Sequence, residues 1–168
     1  MSRRFRRKGD SLTVTLAEEE VELLRQLPGE LRSLLEIADD RPDDPVVTRL
    51  FPRAYLDPTE ETAEEEWQGV VHSELVRERF EALAALTASL DRVAPSKRGR
   101  LEVVLTGDEV TAWLGVLNDA RLALGTRLAI TEDTDLSGVD PAGAQAPAYE
   151  IYRWLTWFQG ELVEVLLG

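Results

Sequence analysis

A chain of 168 residues with 43% hydrophobic and 30% charged residues is long enough for a sizeable core and reads most simply as a single domain over 1–168. It contains no cysteine, and its one methionine is Met1. Disulfides, thiol catalysis, thiolate metal ligands, a cysteine redox switch and oxidation of an internal methionine are therefore excluded. No run of about 18 apolar residues occurs, so no membrane span is expected. The basic start lacks the apolar stretch of a secretory signal, and with the missing cysteine this fits a cytoplasmic protein.

The net charge of −13 is unevenly spread: Arg3, Arg4, Arg6, Arg7 and Lys8 crowd the first eight residues, leaving the remainder more acidic still. Such a body repels phosphate backbones, which goes against direct DNA binding. The basic end reads as an edge strand blunted by arginines, with contact to nucleic acid or an acidic protein as the alternative.

In chain order, residues 4–7 and 11–16 read as two short strands around a Lys8-Gly9-Asp10 turn, because Leu12, Val14 and Leu16 alternate with polar residues. Thr15 and Glu18 suggest a capping box for a helix beginning near Ala17. Pro28-Gly29 is expected to interrupt that helix, with a second piece running to about Ala38. A polar loop covers 39–45, and one turn of helix is expected before Pro52. A long helix follows from about Glu60 to Leu90, acidic in its first turn, with Glu60, Glu61, Glu64, Glu65 and Glu66 expected on a solvated face. Residues 91–99 form a connecting loop. Leu101 to Leu105 is the third strand, and Thr106 with Glu109 repeats the capping-box pattern before a helix that stops near Gly125. A long loop spans 131–147, and the last helix runs from about Ala148 to Leu167. LTVTLAEEEV (12–21) and LEVVLTGDEV (101–110) repeat one strand-cap-helix pattern 89 residues apart. The expected fold is α+β, mainly α: a bundle of about four to five helices with a small antiparallel sheet joining 101–105 to the N-terminal hairpin. A basic hairpin (3–16) would thus precede a helical body (17–168).

Several polar residues fall on apolar faces. In the helix after residue 106, Val110, Trp113, Leu114, Leu117 and Leu124 form a stripe, and Arg121 lies about 20° from Val110. Asn118 lies beside Arg121, whereas Asp119 points away from the stripe. His72 and Arg79 fall near the centre of the long helix's apolar arc, Glu20 lies among Val21, Leu23, Leu24 and Leu27, and Gln159 falls among Leu155, Phe158 and Leu162. A guanidinium keeps its charge, so burial demands partners. One reading is an internal ion-pair network, for instance Glu20 bridging Arg79 or Arg121. The other is a pocket in which His72, Arg79, Asn118 and Arg121 grip a small anion, as in a ligand sensor or an enzyme without a recognised motif. Trp154 and Trp157 share a face with Glu150, Arg153, Glu161 and Glu164. They are either covered by another element or anchor an interface with a protein partner or a second copy.

Recognised catalytic patterns are absent. The loop 133–144 starts like a calcium loop, but Ala144 stands where a bidentate Glu is required. His72-Ser73-Glu74 copies part of a zinc-deaminase signature whose cysteine half cannot exist here. No phosphate-cradling glycine motif occurs. Neither cofactor nor metal is expected.

LNDARLALGTRLAITED (117–133), RLFPRAY (49–55) and YRWLTWFQGELV (152–163) resemble the actinobacterial oxidative-stress regulator family, AosR-like, long classed as a domain of unknown function. The resemblance spans nearly the whole chain and carries no catalytic signature. It implies a cytoplasmic regulatory protein acting on transcription through a protein partner, such as a sigma factor or RNA polymerase. A redox regulator ordinarily senses oxidant through cysteine. This chain either answers another signal or serves as a scaffold.

Overall fold

The two strand-cap-helix units lie side by side, joined through their strands. The structure, a computed structural model, describes residues 4–54 and 56–168; Arg3 of the basic end and Tyr55 of the RLFPRAY stretch lie outside the described residues. The strands are β1 (Phe5–Lys8), β2 (Ser11–Leu16), β3 (Ala94–Pro95) and β4 (Leu101–Leu105). The helices are α1 (Glu18–Ile37), α2 (Pro45–Leu50), α3 (Glu61–Trp67), α4 (Ser73–Leu90), α5 (Gly107–Arg127) and α6 (Ala146–Leu167). The fold is mostly helical with a small antiparallel sheet ordered β1-β2-β4-β3. The echo in the sequence becomes a register: Leu12 faces Leu105 and Leu16 faces Leu101. With a side-chain period of two, Phe5, Leu12, Val14, Val103 and Leu105 turn inward together and are buried. The other face of the sheet carries Arg6, Thr13, Thr15, Glu102 and Val104. β1 is an edge strand, as the arginines suggest.

The helix starts follow two different designs. At α5 the expected capping box forms: Glu109 N–H donates to Thr106 Oγ1 at 3.3 Å, and Thr106 N–H donates to Glu109 Oε2 at 2.9 Å. At α1 the expected Thr15/Glu18 box does not form. Ala17 takes the cap position, and its N–H donates to Glu20 Oε2 at 2.8 Å. Alanine offers no acceptor of its own, so only half of the reciprocal pair exists.

Two expected helix interruptions are overridden by burial. α1 runs through Pro28 without a break. Pro28 cannot donate to a carbonyl, but Leu24, Leu27, Pro28, Leu31, Leu34 and Leu35 are all buried along that helix and hold it together. α5 likewise passes Gly125. A Cβ there would lie 3.0 Å from Tyr152 Cε2, so the glycine admits α6 rather than ending α5. The stop comes at Ala129, left-handed at φ 53°, while Ile130 N–H returns to the Gly125 carbonyl at 2.8 Å, a Schellman closure. The expected long helix from Glu60 to Leu90 is α3 and α4 joined by a π-helical turn, Gln68–His72. The strand β3, inside the stretch read as a loop, is an addition of the structure.

α5 sits centrally, packed against α1, α2, α4 and α6 and touching the sheet. Trp113 is fully buried and its indole N–H donates to Ser89 Oγ at 2.8 Å, while Ser89 donates onward to the Leu86 carbonyl at 2.7 Å. A buried tryptophan N–H thereby finds its partner. Phe158 of α6, also fully buried, meets Phe5 edge-on at 5.2 Å and stacks on Trp154 at 4.8 Å. Among the described residues no helix is long and apolar enough to cross a membrane.

Candidate functional site

The six inward polar residues are divided among three clusters around α5 and α6. In the first, Arg79 Nε donates to Asp119 Oδ2 at 3.1 Å and its Nη2 donates to the Leu50 carbonyl at 3.0 Å. That carbonyl is one of the unsatisfied oxygens ending α2, a natural seat for a cation. The guanidinium also lies 4.6 Å above the Phe51 ring. His72 approaches the same ring at 5.0 Å and places its Nε2 3.1 Å from Asp39 Oδ1. Burial pushes the Asp119 carboxyl above its ordinary value, and the adjacent Arg79 offsets this only in part. Asp119, expected to point away from the Arg121 stripe, pairs with α4 on the other side of α5. It leaves the α6-facing stripe but turns toward α4, because α5 is covered on both sides.

The second cluster joins α5 to α6. Arg121 Nε donates to Gln159 Oε1 and its Nη2 to Asn118 Oδ1, both at 3.1 Å, while Gln159 Nε2 donates to Asn118 Oδ1 at 3.4 Å. Among the described residues Arg121 makes no ion pair; its partners are neutral amides.

The third cluster centres on Glu20. Its Oε2 accepts from Ala17 N–H and lies 2.5 Å from Arg4 Nη1, while its Oε1 accepts from the Trp154 indole at 3.0 Å. Burial would raise this carboxyl, but the donors of Ala17, Trp154 and Arg4 outweigh it and hold Glu20 below its ordinary value. Glu20 therefore bridges neither Arg79 nor Arg121, the pairing considered from the sequence. It ties the start of α1 to β1 and α6.

One acidic residue assigned to a solvated face is buried. Glu64 is 3% exposed and accepts from Gln68 Nε2 at 2.8 Å. It lines a cleft of 730 Å³ with His72, Asp39, Phe51 and Arg53. Among the described residues no group of three potential ligands is placed to hold a metal ion. In the loop that resembles a calcium site, Asp135 instead accepts from Ser137 N–H at 2.9 Å, as a short polar side chain does in a turn.

The two outer tryptophans differ. Trp154 is half-buried, stacked on Phe158 and bonded to Glu20. Trp157 is 44% exposed, with the Arg4 guanidinium 4.9 Å from its ring. It borders a cleft of 920 Å³ that includes Arg4, Arg6, Lys97, Arg98 and Arg100. Lys97 and Arg98 fall in the stretch expected as a loop, and Arg100 just beyond it. The run Lys-Arg-Gly-Arg (97–100) was a visible signal, but only the sheet brings it beside the N-terminal arginines.

The chain matches, over residues 2–166, the family described as a domain of unknown function, DUF2017. It is 32% identical to the oxidative stress regulator AosR of Mycobacterium tuberculosis and to that of Mycobacterium bovis, over 96% of this chain and 85% of each relative. The putative oxidative stress regulator AosR of Mycobacterium leprae is 30% identical, over 95% of this chain and 84% of the relative. No solved structure matches. With the family match covering nearly its full length, the chain belongs to the DUF2017 family.

Proposed function

We propose that this protein is a non-enzymatic regulator that acts by binding a protein partner, with Trp157 as an anchor of the contact surface. The observation that carries the reading is Trp157 itself: a large aromatic on α6, 44% exposed while its neighbour Trp154 is half-buried and Phe158 fully buried. Tryptophan is prominent among residues that dominate binding energy. The name oxidative stress regulator, carried by the relatives, supports a regulatory role, and the resemblance points to a sigma factor or RNA polymerase as the partner in the cytoplasm. With no cysteine in the chain, regulation here runs without a thiol switch.

The test is a pull-down of purified sigma factors and RNA polymerase from the host with wild type and Trp157→Ala, alongside light scattering over a dilution series. Capture by wild type that falls about tenfold or more in the variant supports the reading. A concentration-dependent dimer abolished by Trp157→Ala would assign the surface to self-association instead.

A second reading rests on Arg121, a half-buried cation bonded, among the described residues, to amides alone. A small carboxylate or phosphate held there would supply the missing countercharge. It predicts that anionic metabolites raise the melting temperature of wild type and leave Arg121→Met unmoved.

A further inference from the structure

The sheet gathers cations that the sequence keeps far apart. β3 and β4 form a hairpin whose turn is Lys97-Arg98-Gly99-Arg100, closed by Arg100 N–H donating to the Lys97 carbonyl at 3.2 Å. Two successive left-handed residues shape it, Arg98 at φ 60°, ψ 37° and Gly99 at φ 69°. Hairpin turns of this shape ordinarily place Asn, Asp or Gly at the first of these positions. An arginine there costs about 1 kcal/mol in backbone strain. Strain retained at an exposed position motivates a functional explanation, and here the strained residue contributes charge.

The surroundings supply more of it. Lys97, Arg98 and Arg100 make no ion pair among the described residues and are exposed. On the open face of the sheet, Arg6, Thr13 and Val104 occupy one cross-strand row and Thr15 and Glu102 the next. Glu102, which accepts from Arg6 at 3.3 Å and Thr15 at 3.4 Å, is the single carboxylate among the described residues that line the cleft. On a chain of net charge −13, this is a local reversal of sign. Two apolar groups flank it, Trp157 at 44% and Val104 at 54% exposure.

We propose that this face, the 97–100 hairpin with Arg6, Val104 and Trp157, docks a short acidic polypeptide segment that also bears apolar side chains. The proposal rests on the partner-binding reading above and supplies the chemistry of the partner. Carboxylates of the segment pair with the hairpin cations, and its apolar residues cover Trp157 and Val104, surfaces that a bare phosphate cannot use. A long nucleic acid would leave the patch and cross acidic surface, which repels its backbone. A short segment stays within the local field, whose reach is about 8 Å at physiological salt.

The test is binding of the full-length protein to a fluorescent peptide alternating Asp with Leu, measured by anisotropy beside an Asn-Leu peptide of the same length and a single-stranded oligo-dT. Wild type is expected to bind the Asp-Leu peptide more tightly than either control, with affinity falling as salt rises. The variant K97Q/R98G/R100Q is expected to lose about tenfold or more in affinity without losing melting temperature, since Arg98→Gly also relieves the turn. Equal binding of the Asp-Leu and Asn-Leu peptides overturns the proposal, as does an unchanged affinity in the triple variant or tighter binding of oligo-dT. The pull-down separates this from the parent reading. A partner held equally by wild type and the triple variant overturns this site alone. Peptide binding with no protein captured supports the site and overturns the sigma factor and polymerase assignment.

Discussion

Arg79 and Arg121 look alike from the sequence, each an arginine on an apolar helix face, yet the fold treats them in opposite ways. Arg79 has a carboxylate, a helix-end carbonyl and an aromatic ring. Arg121 has two amide oxygens, Gln159 Oε1 and Asn118 Oδ1, and the second also accepts from Gln159 Nε2. The difference comes from α5, which supplies a partner to each. Asp119 and Arg121 are two positions apart, about 200° around the helix, so Asp119 serves α4 while Arg121 faces α6. A charge is matched by whatever the neighbouring helix presents, and α6 presents Gln159.

The largest expected effect tests whether Arg79 is the structural member of the pair. Arg79→Met strands Asp119 in partly buried surroundings and is expected to cost about 3 kcal/mol in urea unfolding. Arg79→Met with Asp119→Leu should recover part of that loss. If both variants unfold at the same urea concentration as wild type, the ion pair contributes nothing and the contrast with Arg121 collapses.

Smaller effects sharpen the comparison. Gly125→Ala places a methyl against Tyr152 and should cost about 1–2 kcal/mol by pushing α6 away, which loosens Arg121–Gln159 and spares Arg79–Asp119. A double-mutant cycle of Gly125→Ala with Arg121→Met should therefore show coupling, and one with Arg79→Met none. Arg121→Met alone is expected to cost about 1 kcal/mol, because Asn118 and Gln159 keep their mutual bond. A loss as large as that of Arg79→Met would mean the guanidinium is the structural link between α5 and α6.

The carboxylates give a comparison in pH. Glu20 is held below its ordinary value, so its ionised form stabilises the fold; that contribution is present above the ordinary carboxylate range and lost as pH falls through the lowered value. Asp119 is raised, so its contribution has the opposite sign: stability falls as pH rises from about 4 toward the raised value. Glu20→Gln should flatten the rise of stability with pH in urea titrations between acid and neutral pH, and Asp119→Asn should steepen it. Identical profiles for the two variants would show that these environments do not differ.

Much of the fold was legible because it depends on local period. The alternation of Leu12, Val14 and Leu16, the Thr106/Glu109 box and the repeated strand-cap-helix unit gave the sheet and its attached helices. Pro28 and Gly125 are local breakers that do not break their helices, because burial holds α1 together and Tyr152 takes the space at Gly125. The candidate site was legible residue by residue but not as an arrangement. Glu20, His72, Arg79, Asn118, Arg121 and Gln159 all face inward or are half-buried, yet they meet in three places, and Trp154 and Trp157 part company within one turn of helix.

By itself the sequence determined the class of fold, the absence of thiol chemistry and the inward faces of the sheet strands and of the longer helices, since these follow from composition and from periods of two and 3.6 residues. The tertiary structure alone decided which charge meets which partner, and that Arg4 and Arg6 join Lys97, Arg98 and Arg100 around one cleft. Pairings between residues about ninety positions apart depend on strand register and helix docking, and no local pattern encodes them.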